Sequence, residues 1–177
     1  MFTSQRNVVN GVPTGTPKGT VDNTFIGPPL CCGDFNGDKN ADIVMRNTTS
    51  GQVYEWQLNG TSVIGGGSVG SLGLDWQIAG VGDVNGDGKA DLILRNTTTG
   101  QVYIWELNGT SVIGGGATGT LTTDWQIVGI GDVNGDGKAD IVMRNTMTGE
   151  VYEWWLNGTS IIGGGSPGTI TTDWQIE

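Results

Sequence analysis

The chain contains no histidine in its 177 residues. That removes the usual general base of catalysis and the commonest transition-metal ligand. Basic residues are also scarce: 8 Lys and Arg stand against 18 Asp and Glu, for a formal net charge of −10. Nucleic acid is therefore not expected as a partner, because phosphate binding needs clustered Lys and Arg. No apolar run is long enough to cross a membrane, so no membrane insertion is expected. The N-terminal MFTSQRNVVNG lacks the apolar core of a signal peptide. Export would then use another route or a leader already removed. Only two cysteines occur, the adjacent Cys31 and Cys32. Adjacent cysteines can close a strained ring, bond other chains, or stay as buried thiols. They do not fix the compartment. Helix-forming runs are absent, and 33 glycines favour turns and close backbone approach instead.

What is plentiful is repetition. The stretch GDVNGDGKAD at 82–91 returns unchanged at 131–140 and, altered to GDFNGDKNAD, at 33–42, a spacing of 49 residues. Each copy carries oxygen side chains at alternate positions and then a closing carboxylate. These are Asp83, Asn85, Asp87 and Asp91; Asp132, Asn134, Asp136 and Asp140; and Asp34, Asn36, Asp38 and Asp42. Side chains two apart in a tight loop can converge on one point. A hard cation such as Ca²⁺ takes about six to eight oxygen ligands. By spacing, the backbone carbonyl of Lys89, Lys138 or Asn40 adds one more. Up to three Ca²⁺ ions are expected, and they would bring the net charge to about −4. The acidity is then mostly local ligand supply.

The loop is not an EF-hand. The twelfth positions are Met45, Leu94 and Met143 rather than Glu, and strand-like sequence follows. A metal-free Asp/Asn/Gly turn is the competing reading. Retention of every oxygen ligand in three copies favours the ion. Gly88 is expected at positive φ, where the loop turns sharply. In the first copy Lys39 replaces that glycine, so the first site is expected to be the weakest.

Residues 1–26 belong to no repeat and read as an extended arm. Residues 27–177 read as three repeats, approximately 27–75, 76–124 and 125–177. Each repeat divides into four short strands. In the second these are DWQIAGVGD, then DLILRN, then QVYIWELN, then SVIGGG at 111–116. DLILRN is apolar through its centre, as a strand buried on both faces would be. QVYIWELN alternates, with Tyr103, Trp105 and Leu107 on one face. Four strands per repeat of this length fit a β-propeller blade. The expected fold is all-β: three tandem four-stranded propeller-type blades of about 49 residues behind an extended N-terminal arm.

These loops and their flanking strands resemble the FG-GAP/VCBS repeats, the blades of integrin-α-like propellers and of many bacterial surface proteins. The resemblance spans about residues 27–177. It implies Ca²⁺ in the loop between the first two strands of each blade, on the residues named above, and an extracellular role in adhesion or recognition. Propellers of that family usually have more blades than three.

The repeat ends do not match. DWQI strands precede the second and third units at 75–78 and 124–127, but Ile26, Gly27, Pro28 and Pro29 stand before the first. Two prolines cannot donate ladder hydrogen bonds, so that is a poor strand. A spare DWQI lies at 173–176. N-x-[ST] sequons at Asn47, Asn59, Asn96, Asn108 and Asn157 are glycosylation candidates at turns, although Asn-Gly and Asn-Thr are good turn dipeptides anyway. Trp56, Trp105 and Trp154 are in phase with Tyr and Leu and are expected to pack between blades. Trp155, on the polar phase, is expected at a contact surface.

No nucleophile–base set is visible, so no enzyme is expected. The expected function is an extracellular or cell-surface structural protein, stabilised by Ca²⁺. It would assemble head to tail, into a filament, by exchange of terminal strands. The alternative is an adhesion or lectin-like module binding glycans or cell-surface proteins, or a six-blade dimeric ring.

Overall fold

The structure, a computed structural model, describes residues 32–171 and 173–176. The arm at 1–26, the segment 26–29 and Cys31 lie outside these residues. The described secondary structure is all strand: β1 (Cys32–Gly33), β2 (Asp42–Arg46), β3 (Gln52–Asn59), β4 (Ser62–Ser71), β5 (Trp76–Gly82), β6 (Asp91–Asn96), β7 (Gln101–Asn108), β8 (Ser111–Thr120), β9 (Trp125–Gly131), β10 (Asp140–Asn145), β11 (Glu150–Asn157) and β12 (Ser160–Thr169). They form three four-stranded sheets, β1–β4, β5–β8 and β9–β12. All pairings are antiparallel between chain neighbours, so each sheet is a simple meander.

Local sequence accounts for the meander. DLILRN is buried at every position as β6. The Asn96 side chain turns the chain into β7 by accepting the Thr98 and Thr99 N–H groups at 2.9 and 2.8 Å. Gly100 closes that turn at φ +74, and a Cβ there would collide with the Leu121 carbonyl oxygen. Asn108 pairs with Ser111 across the two-residue hairpin loop Gly109–Thr110, with glycine at φ +58 in the first central position, as such loops favour.

The fourth strand differs from the expected one. It does not end in the glycine run at 116 but continues to Thr120. Two register shifts against β7, between Val102 and Tyr103 and between Glu106 and Leu107, absorb the extra residues. A bulge of this kind bends a strand without ending it.

The cores lie between sheets rather than within them. Phe35, Val44 and Val53 of the first sheet meet Leu92, Leu94 and Leu107 of the second, with Tyr103 and Trp105 packed against them. Val84, Val102 and Ile104 of the second meet Ile127, Ile141 and Leu156 of the third, with Tyr152 and Trp154 alongside. The Tyr–Trp–Leu face of the second and third sheets thus packs on the preceding sheet, whereas Trp56, expected between blades, lies in neither core. Glycine makes room for the tryptophans: a Cβ on Gly70 would stand 3.2 Å from the Trp105 ring, and one on Gly119 would stand 2.8 Å from that of Trp154.

Backbone hydrogen bonds sew the junctions. Ala90 N–H donates to the Asp34 carbonyl and Gly109 N–H to the Phe35 carbonyl, both at 2.7 Å. Ala139 N–H donates to Asp83 at 2.7 Å and Gly158 N–H to Val84 at 2.8 Å. The first strands of successive sheets are neighbours, β1 beside β5 and β5 beside β9. The array does not close on itself.

One buried residue breaks the apolar pattern. Glu55 is fully buried on the face of β3 turned to the second sheet, and neither carboxylate oxygen makes a hydrogen bond of normal geometry, although the Gln57 side chain stands close enough to favour the charged form. Burial pushes its pKa up, the Gln57 side chain opposes this, and Asp42 adds to it. Its repeat counterpart is Ile104, also fully buried. Leaving a buried polar group unpaired costs about 1–3 kcal/mol. Glu55→Ile is therefore expected to raise stability by about that amount in urea unfolding at neutral pH. A raised folded-state pKa means the favourable contribution is complete below the unfolded value near about 4.3 and is lost as pH rises through the folded value. The gain of the variant should shrink toward pH 4. A variant less stable than wild type at neutral pH would show that Glu55 has a stabilising partner.

Candidate metal-binding loops

Each loop between the first and second strands winds around its first aspartate. In the second loop Asp83 Oδ1 accepts the N–H groups of Gly86 at 2.7 Å and Asp87 at 3.2 Å, and its Oδ2 accepts that of Gly88 at 2.7 Å. Asn85 Oδ1 accepts Asp87 N–H and Asp87 Oδ1 accepts Lys89 N–H, both at 2.8 Å. The third loop repeats this set on Asp132, Asn134 and Asp136. The first does so on Asp34, Asn36 and Asp38, where Asn40 N–H takes the place of the lysine's. Hydrogen bonds from Gly137 foremost, with others from the loop backbone, hold Asp132 below the usual carboxylate range.

Gly88 and Gly137 lie at φ +83 and +85, and Lys39 takes the same left-handed conformation at φ +71. For an L-residue that conformation costs about 1–2 kcal/mol, so the first loop keeps its shape under strain. The methylene stem of Lys89 lies over Gly37 of the preceding loop, and that of Lys138 lies over Gly86.

The closing aspartates do something the sequence does not announce. Asp91 is fully buried; its Oδ2 accepts Val84 N–H at 3.0 Å and its Oδ1 accepts Leu107 N–H at 2.9 Å. Asp42 joins Phe35 and Leu58 in the same way, and Asp140 joins Val133 and Leu156. Each staples its loop to the third strand. Burial raises the Asp91 pKa to about 7, against the Leu107 and Val84 hydrogen bonds and with help from the Asp87 and Asp83 charges. The signal available in sequence was an aspartate flanked by Ala and apolar residues at the mouth of a fully apolar strand.

Among the described residues, no three His, Cys, Asp or Glu side chains stand close enough together to hold a metal. The donor chemistry still suits a hard cation. The first, third and fifth side chains of every loop are Asp, Asn and Asp, oxygen donors whose lone pairs not taken by the loop N–H groups could face an ion. A Ca²⁺ ion would be held there, with the carbonyl of Lys89, Lys138 or Asn40 and the remaining lone pairs of the ninth-position carboxylate available to it. It would supply neutralisation of clustered carboxylates.

The sequons separate by environment. Asn47, Asn59, Asn108 and Asn157 are exposed. Asn96 is buried and its Nδ2 donates to Asp75 at 2.6 Å, so the atom a glycan would occupy is already engaged in the fold. Trp155 is 37% exposed on the outer face of the third sheet, and its Nε1–H donates to Glu153.

Three sheets of one design, each with the same oxygen-rich loop between its first and second strands, define a tandem β-repeat protein. The FG-GAP-like repeat family matches residues 34–94 and 83–143, together more than half of the chain, and the protein belongs to that family. Repeats of this family are typical of extracellular and surface proteins. Comparison with the curated proteins and with the solved structures returned no match. No helix among the described residues is long and apolar enough to cross a membrane.

Proposed function

We propose that this protein is a calcium-stabilised extracellular structural protein without a catalytic role. Its sheets are propeller-type blades, and its copies join head to tail by exchange of terminal strands, forming a filament. The side-by-side first strands and the face-to-face sheets support the blade reading.

One observation carries the assembly. Trp76 meets the Tyr103 ring edge-on at 6.2 Å, and Trp125 meets Tyr152 in the same way at 6.2 Å. Beside them, Asp75 accepts Asn96 Nδ2–H and Asp124 accepts Asn145 Nδ2–H, both at 2.6 Å. Among the described residues, one half of each pair recurs at either end of the array. Trp174 is 66% exposed and Tyr54 is 40% exposed. Asp173 and Asn47 are exposed as well. The DWQI strand at 173–176 of one copy can therefore dock on the first sheet of the next, as 75–78 docks on the second. This is strand addition between chains.

Deleting residues 173–177 is expected to leave smaller species than the full chain in light scattering in the presence of Ca²⁺. An unchanged size distribution would overturn the reading. A monodisperse dimer of the full chain would select the six-blade ring over the filament.

A glycan-binding module is the second reading. A groove of about 220 Å³ lined by Ser71, Leu72, Gly73, Trp76, Tyr103 and Trp105 favours it. Retention on a glycan array, lost on Trp76→Ala, would decide for it.

A further inference from the structure

The geometry points to a second copy of this chain as the occupant of the open face of the third sheet, seated there through its own first sheet. This rests on the head-to-tail reading above and deepens it, because the contact lies on the loop and hairpin, away from the terminal strand.

The two internal junctions supply the template. In each, an alanine N–H and a glycine N–H of the later sheet reach the carbonyls of the first two loop residues of the earlier one. Phe35 and Val84, the second residues of those loops, are 0% exposed as a result. The methyl groups of Thr110 and Thr159 lie over Gly67 and Gly116, and the Trp105 and Trp154 rings lie over Gly70 and Gly119.

The third sheet presents the earlier half of this junction with no described residue on it. No described residue donates to the Asp132 or Val133 carbonyl. Val133 is 44% exposed where its two counterparts are sealed. A Cβ on Gly165 or Gly168 would meet nothing within 4 Å. The first sheet presents the later half. The N–H groups of Ala41 and Gly60 have no acceptor among the described residues. Ala41, Gly60 and Thr61 are exposed, whereas Ala90, Ala139, Gly109 and Gly158 are buried. Leu58 is only half-buried, whereas Leu107 and Leu156 are fully buried.

Two donors face two acceptors at a spacing the chain already uses twice. Ala41 N–H pairs with the Asp132 carbonyl and Gly60 N–H with that of Val133. Thr61 covers Gly165, and Trp56 covers Gly168. Glu153 enters this junction as Glu55 enters the first. An unrelated partner would have to reproduce that register; a second copy carries it already. The contact is heterologous, so it propagates unless its rotation closes.

The test uses two full-length variants in Ca²⁺, Val133→Lys on the third sheet and Ala41→Lys on the first. Both positions are exposed, and circular dichroism checks that each variant is folded; Thr61→Lys replaces Ala41→Lys if the latter is not. A lysine buried without a partner opposes the contact. Each variant alone is expected to need at least about tenfold more protein than wild type to associate in sedimentation velocity, a loss of about 1.4 kcal/mol. Mixed in equal amounts, they should form a one-to-one dimer, since each keeps one unaltered face. If both variants associate like wild type while deletion of 173–177 stops association, this contact is overturned and the terminal-strand reading stands. Folded variants that stay monomeric when mixed overturn it as well. A wild-type chain that is monomeric at all concentrations overturns both.

Discussion

Chelation of Ca²⁺ is expected to lower the melting temperature by about 8–16 °C. On the calcium reading the ion would bind the folded loops alone, so its binding would add to folding free energy. With an extracellular-type affinity and Ca²⁺ at about ten times the dissociation constant, each site contributes about 1.4 kcal/mol, or about 4 kcal/mol for three. For a chain of this size each kcal/mol moves the melting temperature by about 2–4 °C. Calorimetric scans in Ca²⁺ and in chelator measure the shift, and titration counts the ions. The first loop should fill last, because Lys39 holds a strained φ of +71 where the others have glycine. No heat of binding together with an unchanged melting temperature would remove the ion from the account.

The sequence made the repeat unit legible, because its two periodicities are strong. The alternation of Tyr103, Trp105 and Leu107 placed the inter-sheet face, and the uninterrupted apolar run of DLILRN placed the buried second strand. The continuation of the fourth strand beyond the glycine run, from 117 to Thr120, was not legible. Three glycines carry no side-chain period to extend, and only the pairing of Ala117, Gly119 and Thr120 with Tyr103, Val102 and Gln101 shows that the ladder continues past them. The junction hydrogen bonds were hidden for a different reason. They join main-chain groups of Asp34, Phe35, Ala90 and Gly109, and a main-chain acceptor leaves no mark on residue identity. Glu55 was hidden because its counterpart in the second unit is Ile104 and in the third is the half-buried Glu153, so the repeat gives no consensus on burial. In the loops, spacing brought out the oxygens but could not tell the ninth from the other three, since a buried aspartate that staples and one open to solvent look alike in one dimension.

That distinction predicts a contrast between two aspartates four residues apart. Asp87 is exposed and caps a single N–H, that of Lys89. Asp91 is buried and satisfies two, those of Val84 and Leu107, in the wall of both inter-sheet cores. Asp91→Ala strands both donors at about 1–3 kcal/mol each, so a loss of about 2–6 kcal/mol is expected even in chelator. Asp87→Ala should cost about 0.5 kcal/mol or less in chelator, as surface substitutions do. In Ca²⁺ it should forfeit one ion and about 1.4 kcal/mol more. Urea unfolding of both variants with and without Ca²⁺ gives the four numbers. If Asp91→Ala proves as mild as Asp87→Ala without the ion, the buried carboxylate is not holding the loop to the third strand. In that case the stability of each sheet depends on calcium more than the hydrogen bonds imply.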